Sequence, residues 1–423
     1  MYTGLHLQSF KHLSASGVIK AMPAPESVVI ELDQHADALL RPCVKVGEHV
    51  SIGQVIAKPD ITYSAWLHSP VSGIVEIINR DHISIRNDRL NQVDAQVPLH
   101  AWHQMSPLDL IAHLAAGGIA GLGGAGYSSA AKLVAYAKES IGTLIINGME
   151  CEPFITSDDH LMREQASSII HGIQILMHAS GAANSIIAVE DDKPEAIASI
   201  RKSIKDCNAE HIEVRVLPTA YPNGDEGRLI KLLLNQEVPR GHLPAKLGLL
   251  VHNIATARAC AQWVLQGRPL ISRVVTVTGR GVVHPQNVET FIGTACRELI
   301  YYCGGYTQAV SLLSLGGTMM GRSLATDDSI ICKTSNCLIA ATPQDISPRY
   351  EEQPCIRCAE CAVACPVNLL PQQLLMYLRN QNTSAAQQLG LRDCIECGCC
   401  DAVCPSHILL ASRFRAAKLQ AVS

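Results

Sequence analysis

Several features that this 423-residue sequence lacks exclude whole classes of protein. It has no run of about eighteen uncharged apolar residues, so we expect no membrane-spanning helix and only a peripheral association with any membrane. Its 34 Lys and Arg residues are matched by 38 acidic residues without a basic block, which argues against nucleic acid as a partner. The first twenty residues contain no apolar core of signal-peptide length, so we expect a cytoplasmic chain.

Cysteine, in contrast, is abundant, with 17 residues. The pattern C-x-x-C-x-x-C-x-x-x-C-P occurs twice, at Cys355, Cys358, Cys361 and Cys365, and at Cys394, Cys397, Cys400 and Cys404. Bacterial ferredoxins hold two [4Fe-4S] clusters with this spacing, and the fourth cysteine of each run binds the other cluster. The spacing therefore predicts an electron carrier with two ligand sets, namely Cys355, Cys358, Cys361 and Cys404, and Cys394, Cys397, Cys400 and Cys365.

Two other uses of cysteine fit this pattern less well. A zinc site usually has two C-x-x-C pairs separated by a longer loop, and a disulfide framework belongs to short secreted chains. Cys399 lies inside the second run but out of register, so we interpret it as a thiol that binds no iron. The iron-sulfur pattern also indicates a reducing compartment.

The chain is long enough for three or four domains. Short apolar runs between turn residues predict an all-β module within residues 1–100, where VKVGEHVSIGQ and SPVSGIVEI resemble the barrel-sandwich folds of lipoyl and biotinyl carrier domains. Alternating strand and helix patterns in residues 101–270 predict a doubly wound α/β sheet. We expect a β-grasp (SLBB-like) domain over residues 271–340 and an α-helical ferredoxin domain with both clusters over residues 341–423.

A glycine-rich loop lies in the predicted α/β domain. Gly121, Gly123 and Gly126 satisfy G-x-G-x-x-G, but a helix rather than a strand is expected before them, unlike in dinucleotide-binding folds. No Lys-Ser or Lys-Thr follows the glycines, so the loop is not a P-loop. Lys132 lies six residues past Gly126, where a first helical turn can aim an ammonium at a phosphate held by backbone amides.

Polar residues also follow the predicted strand TLII. Asn147, Glu150 and Glu152 lie in the segment NGMECEP, directly after that strand. Because α/β sheets bind ligands at the carboxyl ends of their strands, this segment and the glycine loop predict one nucleotide site.

Several motifs in order resemble a known family, the C subunit of the Rnf (Rsx) ion-translocating electron transport complex. They are GLGGAGYSSAAKL, NGMECEP, AVEDDKPEA, YPNGDEGRLI, VHNIAT and GGTMMG, together with the double cysteine run and the N-terminal barrel. The central part is also similar to the flavin subunit of respiratory complex I, and both families bind FMN and NAD(H) there.

The resemblance implies a peripheral subunit at the cytoplasmic face of the bacterial inner membrane. Such a subunit passes electrons between ferredoxin-derived carriers and NAD(H) through FMN and two [4Fe-4S] clusters. Its partners are the integral-membrane and iron-sulfur subunits of the same complex, which translocate the ion, and ferredoxin takes part indirectly.

The resemblance also implies roles for individual residues. The FMN contacts that it implies are Gly121, Gly123, Gly124, Gly126, Lys132 on the phosphate, Asn147, Asn253 and Thr256. It implies that Tyr127 stacks on the nicotinamide nucleotide and that Glu152 and Glu226, with the adjacent Glu150, hold NAD(H). No catalytic acid or base is implied, because hydride transfer is the chemistry of FMN.

The chain departs from the family pattern near the implied nicotinamide site. Ser128 and Ser129 stand where the family commonly has Pro and Thr, and Asp225 and Gly227 replace small and basic residues. These departures motivate the second of two alternatives that stay open. One is a cobalamin reductase with flavin and double-cluster modules, in which the barrel-like module usually follows the clusters. The other is a non-catalytic electron-relay subunit whose NAD site has decayed.

Overall fold

The N-terminal segment of the chain contacts parts that come much later in the sequence. The structure is a computed structural model, and it describes residues 4–307, 309–346 and 350–420. A short 3-10 helix at Lys11–Leu13 precedes strand β1 (Lys20–Ala21). Lys20 and Ala21 pair in parallel with Val288 and Glu289, so β1 belongs to the sheet of a later domain.

The first domain consists of two small antiparallel sheets. Their strands are β2 (Ser27–Glu31), β3 (Leu40–Pro42), β4 (His49–Val50), β5 (Val55–Pro59), β6 (Leu67–His68), β7 (Gly73–Ile78) and β8 (His82–Asn87). One sheet has the order β2-β8-β7-β4 and the other β3-β5-β6. Alternate side chains such as Val28 and Ile30 are buried, which is the period-two pattern of a half-buried strand.

The second domain has a four-stranded sheet of parallel strands. They are β9 (Thr143–Gly148), β10 (Asn184–Glu190), β11 (Ile212–Leu217) and β12 (Leu249–Asn253). The strand order is β11-β10-β9-β12. The chain adds β10 and β11 on one side of β9 and then places β12 on the other side. The carboxyl ends of β9 and β12 therefore flank the switch point at which open α/β sheets bind ligands.

Seven helices accompany this sheet in the described residues. They are α1 (Pro107–Ala116), α2 (Ser129–Tyr136), α3 (Ser157–Glu164), α4 (Ala166–Ser180), α5 (Pro194–Asp206), α6 (Glu226–Leu234) and α7 (Ile254–Gln266). Helix α1 begins at a capped end, because the Ser106 side chain accepts the Asp109 N–H at 3.2 Å and Pro107 occupies the first turn.

The third domain contains a six-stranded mixed sheet and one helix. Its elements are β13 (Ser272–Thr278), β14 (Gln286–Phe291), α8 (Cys296–Tyr302), β15 (Leu312–Leu315), β16 (Arg322–Leu324) and β17 (Cys337–Ala341). The strand order is β1-β14-β13-β17-β15-β16. The segment GGTMMG forms the turn of the hairpin between β15 and β16.

The fourth domain is helical over the described residues 350–420. Its helices are α9 (Glu360–Val363), α10 (Pro371–Arg379), α11 (Thr383–Gln388), α12 (Cys399–Ala402) and α13 (Leu410–Gln420). Leu374 and Leu375 of α10 and Phe414 of α13 share one apolar core. Over the described ranges of the whole chain, no helix is both long enough and apolar enough to cross a membrane.

Candidate functional site

The glycine loop connects α1 to α2 and runs past the carboxyl end of β12. Gly124 and Gly126 have φ values of +113° and +65°, a region that glycine adopts without strain. A Cβ atom on Gly123 would lie 3.3 Å from Cβ of Asn253, whereas a Cβ on Gly124 would meet nothing within 4 Å. The loop therefore lies against β12 at Gly123 and borders open space at Gly124.

Two side chains from distant parts of the chain fix this loop. The Leu122 N–H donates to Oγ1 of Thr256 on α7 at 3.0 Å. The guanidinium of Arg273 donates to the Leu122 carbonyl at 3.3 Å. Thr256, which the resemblance implies to be a flavin contact, thus holds the loop backbone in place.

The loop has the features that a phosphate group requires. Among the described residues, no protein acceptor bonds to the N–H groups of Gly123, Gly124, Ala125 or Gly126. Gly123, Gly124 and Ala125 are exposed, so their N–H groups are free to exchange water for the oxygens of a bound phosphate. Because helix α2 begins three residues past Gly126, its positive end adds to the attraction for an anion. The residues present therefore fit the phosphate of a flavin nucleotide.

Lys132 and Glu226 form an ion pair that joins α2 to the first turn of α6. Lys132 Nζ lies 2.8 Å from Glu226 Oε2 and donates to the Val251 carbonyl at 2.9 Å. The two side chains are 20% and 38% exposed. The structure thus brings together a residue expected on the FMN phosphate and a residue expected on NAD(H).

The carboxyl ends of β9 and β12 carry two linked asparagines. The Asn253 side chain donates to the Asn147 carbonyl at 3.4 Å and to Oδ2 of Asp158 at 2.6 Å. The Asn147 side chain donates to the Gly224 carbonyl at 2.8 Å. Burial, and then the charge of Glu150, raise the pKa of Asp158 above its ordinary value. The predicted flavin contacts Asn147 and Asn253 therefore lie together at the switch point.

Glu150 and Glu152 bind different parts of the chain. Glu150 accepts the Asp158 N–H at 2.6 Å and so caps the start of α3. Glu152 accepts the N–H groups of Met319 at 3.2 Å and Met320 at 2.8 Å, in the GGTMMG turn. Burial raises the pKa of Glu152 to about 7. The contact of either carboxylate with NAD(H) stays a prediction.

Tyr127 follows the glycine loop directly. Its side chain is 41% exposed, and its carbonyl accepts the Gly121 N–H at 2.8 Å. The backbone of Tyr127 thus closes the loop, while its ring remains open to contact from outside. Its stacking on a nicotinamide nucleotide stays a prediction.

Two cavities in the fourth domain are each lined by four cysteines. One is lined by Cys355, Cys358, Cys361 and Cys404, and the other by Cys365, Cys394, Cys397 and Cys400. These are the two sets that the ferredoxin spacing predicts. In the described residues, no three His, Cys, Asp or Glu side chains converge as the ligands of a single metal ion do. The thiols surround a space, which suits a four-iron cluster better than one zinc ion.

The two cavities differ in their exposure. Cys355 and Cys358 are exposed, so we call their cavity the outer cavity. Cys397 and Cys400 are buried, and we call their cavity the inner cavity. Cys399 is also buried, but it is not among the described residues that line the inner cavity.

Sequence reasoning did not single out Lys333, whose ammonium is hydrogen-bonded to the start of the glycine loop at Gly118. Its buried ammonium donates to the carbonyls of Gly118 at 2.8 Å and Trp66 at 3.0 Å. Burial lowers the pKa of Lys333 to about 7. Lys333 thus joins the first, second and third domains. No sequence signal marks it, because a lone lysine in a polar segment is usually solvated.

The motif AVEDDKPEA contains a buried ion pair. Lys193 Nζ lies 2.5 Å from Glu190 Oε2 at the end of β10 and 3.3 Å from the Met149 carbonyl. Both side chains are buried. The pair therefore fixes the segment after β9 on which Glu150 and Glu152 lie.

Four family models match successive parts of the chain. They are the RnfC barrel sandwich hybrid domain (residues 1–93), the Nuo51 FMN-binding domain (114–262), the SLBB domain (274–323) and the 4Fe-4S dicluster domain (354–408). These matches confirm the predicted multidomain fold class. They also confirm FMN and two [4Fe-4S] clusters as the cofactors of the chain.

One similar solved structure is a chain of an NAD⁺-reducing [NiFe]-hydrogenase in the air-oxidized state. The TM-score is 0.52 at 17% sequence identity, and the match covers 78% of this chain and 67% of that chain. At this identity the likeness concerns the fold alone.

Curated relatives match along most of the chain. The C subunit of an ion-translocating oxidoreductase complex from Pseudomonas aeruginosa is 41% identical over 88% of this chain, which spans 49% of that relative's length. A protein of the same name from Rhodobacter capsulatus is 39% identical over 92% of this chain and 76% of its own length. The resemblance seen in the motifs is thereby confirmed, and the chain belongs to the family of C subunits of the ion-translocating oxidoreductase complex.

Proposed function

We propose that this chain is an electron-transport oxidoreductase subunit that passes electrons between NAD(H) and ferredoxin-derived carriers. The observation that supports this most strongly is the presence, in one chain, of a phosphate-fitting glycine loop at a strand switch point and two four-cysteine cavities. Bound FMN supplies the conversion between the two-electron chemistry of NAD(H) and the one-electron chemistry of the clusters.

In this proposal the protein binds and orients the nucleotides. The N–H groups of the glycine loop and the ammonium of Lys132 hold the flavin phosphate. Thr256 and Arg273 keep the loop in one conformation through their bonds to Leu122, so that little ordering is needed when the nucleotide binds. The exposed ring of Tyr127 offers a stacking surface for the nicotinamide nucleotide.

The names of the relatives indicate that such a chain works within a larger complex. Each is named as one part of an ion-translocating oxidoreductase complex, which has other subunits by definition. We propose that integral-membrane and iron-sulfur partners of this chain translocate the ion and connect it to ferredoxin. In this arrangement the chain lies peripherally at the cytoplasmic face of the membrane.

A second candidate function is an electron relay between protein partners that does not use NAD(H). One observation favours it, because Glu150 and Glu152 already accept backbone N–H groups of this chain. The cobalamin reductase alternative is less well supported, since the barrel sandwich match comes first in the chain and the dicluster match comes last.

The two candidates are separated by NADH oxidation with ferricyanide as the acceptor, using the full chain with its FMN content measured. We expect the wild type to oxidise NADH. Tyr127→Ala should raise the KM for NADH at unchanged FMN content, and Tyr127→Phe, which keeps the ring, should not. A wild-type protein that contains FMN and fails to oxidise NADH would favour the relay.

A further inference from the structure

The inner cavity lies against the nucleotide-binding domain, and one tyrosine makes a polar contact between them. The hydroxyl of Tyr221 donates to the Cys397 carbonyl at 2.7 Å. Tyr221 is 2% exposed and lies in the segment YPNGDEG, between β11 and α6. The backbone of one cysteine of the inner cavity is thus hydrogen-bonded directly to the domain that carries the glycine loop.

The backbone of Tyr221 is fixed from two directions. Its N–H donates to the Leu5 carbonyl at 2.9 Å, and its carbonyl accepts the Leu5 N–H at 2.7 Å. Three residues further on, the Gly224 carbonyl accepts the side chain of Asn147 at the switch point. Tyr221 therefore cannot move without disturbing a segment that is bonded to the candidate nucleotide site.

Buried apolar side chains pack around this hydrogen bond. Tyr221, Ala364, Cys397 and Cys399 form one buried cluster, and Met319 packs against it. Met319 belongs to the GGTMMG turn that Glu152 holds through its backbone N–H groups. Because water is excluded here, the hydroxyl dipole acts on the Cys397 peptide in a low-dielectric environment.

We propose that Tyr221 is a positioning residue for the cluster bound in the inner cavity. Its hydroxyl fixes the peptide of Cys397 against the nucleotide-binding domain and raises the reduction potential of that cluster. The positive end of the O–H dipole faces a ligand segment, which favours the more negative, reduced state of the cluster. The proposal rests on the assignment of Cys365, Cys394, Cys397 and Cys400 as ligands.

The test is a potentiometric titration of the Tyr221→Phe variant, with both cluster signals followed by electron paramagnetic resonance. We expect the midpoint potential of one cluster to become more negative and that of the other to stay at its wild-type value. Tyr302→Phe is the matched control, because the Tyr302 hydroxyl also donates to a backbone carbonyl, that of Ala21, at 3.1 Å. Cys358→Ser identifies which signal belongs to the outer cavity.

Chemical mediators and dithionite set the potential in this titration, so its result does not depend on NAD(H) or flavin. Unchanged potentials in Tyr221→Phe, or a shift confined to the outer cluster, would overturn the proposal. Hydrogen exchange of residues 394–400 gives a second readout, which should be faster in Tyr221→Phe and unchanged in the control. Loss of iron from the inner cluster alone would also support the positioning role.

Discussion

The Lys132 side chain offers a sharp test of the nucleotide site. Lys132→Met keeps most of the aliphatic stem of the side chain but removes the ammonium that contacts Glu226 and the Val251 carbonyl. If that ammonium holds the flavin phosphate, the variant loses affinity for FMN. The affinity for riboflavin, which has no phosphate, should stay the same.

The size of the effect follows from the contacts of Lys132. A hydrogen bond to a charged group is worth roughly 1.5–3 kcal/mol, which corresponds to a change of about 10- to 150-fold in Kd at about 1.4 kcal/mol per tenfold. Lys132 is 20% exposed and already paired with Glu226, so we expect the lower end, about 10- to 30-fold. Because a partly exposed pair contributes at most about 1 kcal/mol to folding, the variant should remain folded.

The assay is the quenching of flavin fluorescence when apoprotein is titrated with FMN or riboflavin. Glu226→Gln should bind FMN at least as tightly as the wild type, because it removes the carboxylate that competes for Lys132. An equal loss of FMN and riboflavin affinity in Lys132→Met would refute the phosphate contact. Unchanged binding of both flavins would refute it as well.

Three further predictions concern Thr256, the cysteines of the inner cavity and Lys333. Thr256→Val removes the acceptor of the Leu122 N–H, which fixes the glycine loop. An unsatisfied buried donor costs roughly 1–3 kcal/mol, so we expect FMN binding to weaken by about tenfold. Thr278→Val is its control, because Thr278 Oγ1 is buried without a hydrogen-bond partner in the described structure, so the variant should bind FMN like the wild type. Cys397→Ala should lose the iron of one cluster, about four atoms per chain, whereas Cys399→Ala should keep the wild-type iron content. Burial lowers the pKa of Lys333 from 10.5 to about 7, so Lys333 binds fewer protons in the folded than in the unfolded chain above pH 7. The contribution of Lys333 to the free energy of unfolding should therefore rise with pH, by on the order of 2 kcal/mol between about pH 7 and 9. We expect the urea midpoint of the wild type to increase over this pH range relative to that of Lys333→Met. Urea midpoints of the two proteins that change in parallel with pH would contradict this expectation.

Local sequence patterns were sufficient for some parts of the structure. Three cysteines of each cavity come from one short segment, and the side chain that caps α1, Ser106, lies directly before its first turn. Both features depend on neighbours a few residues apart, whereas the fourth cysteine of each cavity comes from the other run, as the ferredoxin pattern predicts. Such features are readable from sequence because their geometry is set by the local backbone.

Contacts between distant segments could not be read in the same way. The backbone partners of Glu152 in the GGTMMG turn lie 167 and 168 residues away. Lys132 and Glu226, given separate roles, are paired across 94 residues. Strand β1 precedes the strands of the first domain in the sequence, yet it pairs with Val288 and Glu289 of the third domain. No local propensity specifies these partners, since only tertiary packing brings them together.

We propose that NAD(H), the flavin and both clusters form one connected electron path in this chain. It is tested most directly by an anaerobic titration of the purified chain with NADH, in which flavin absorbance and the broad cluster absorbance are followed together. We expect both absorbances to bleach. Protein shown to contain FMN and iron that bleaches neither would contradict it.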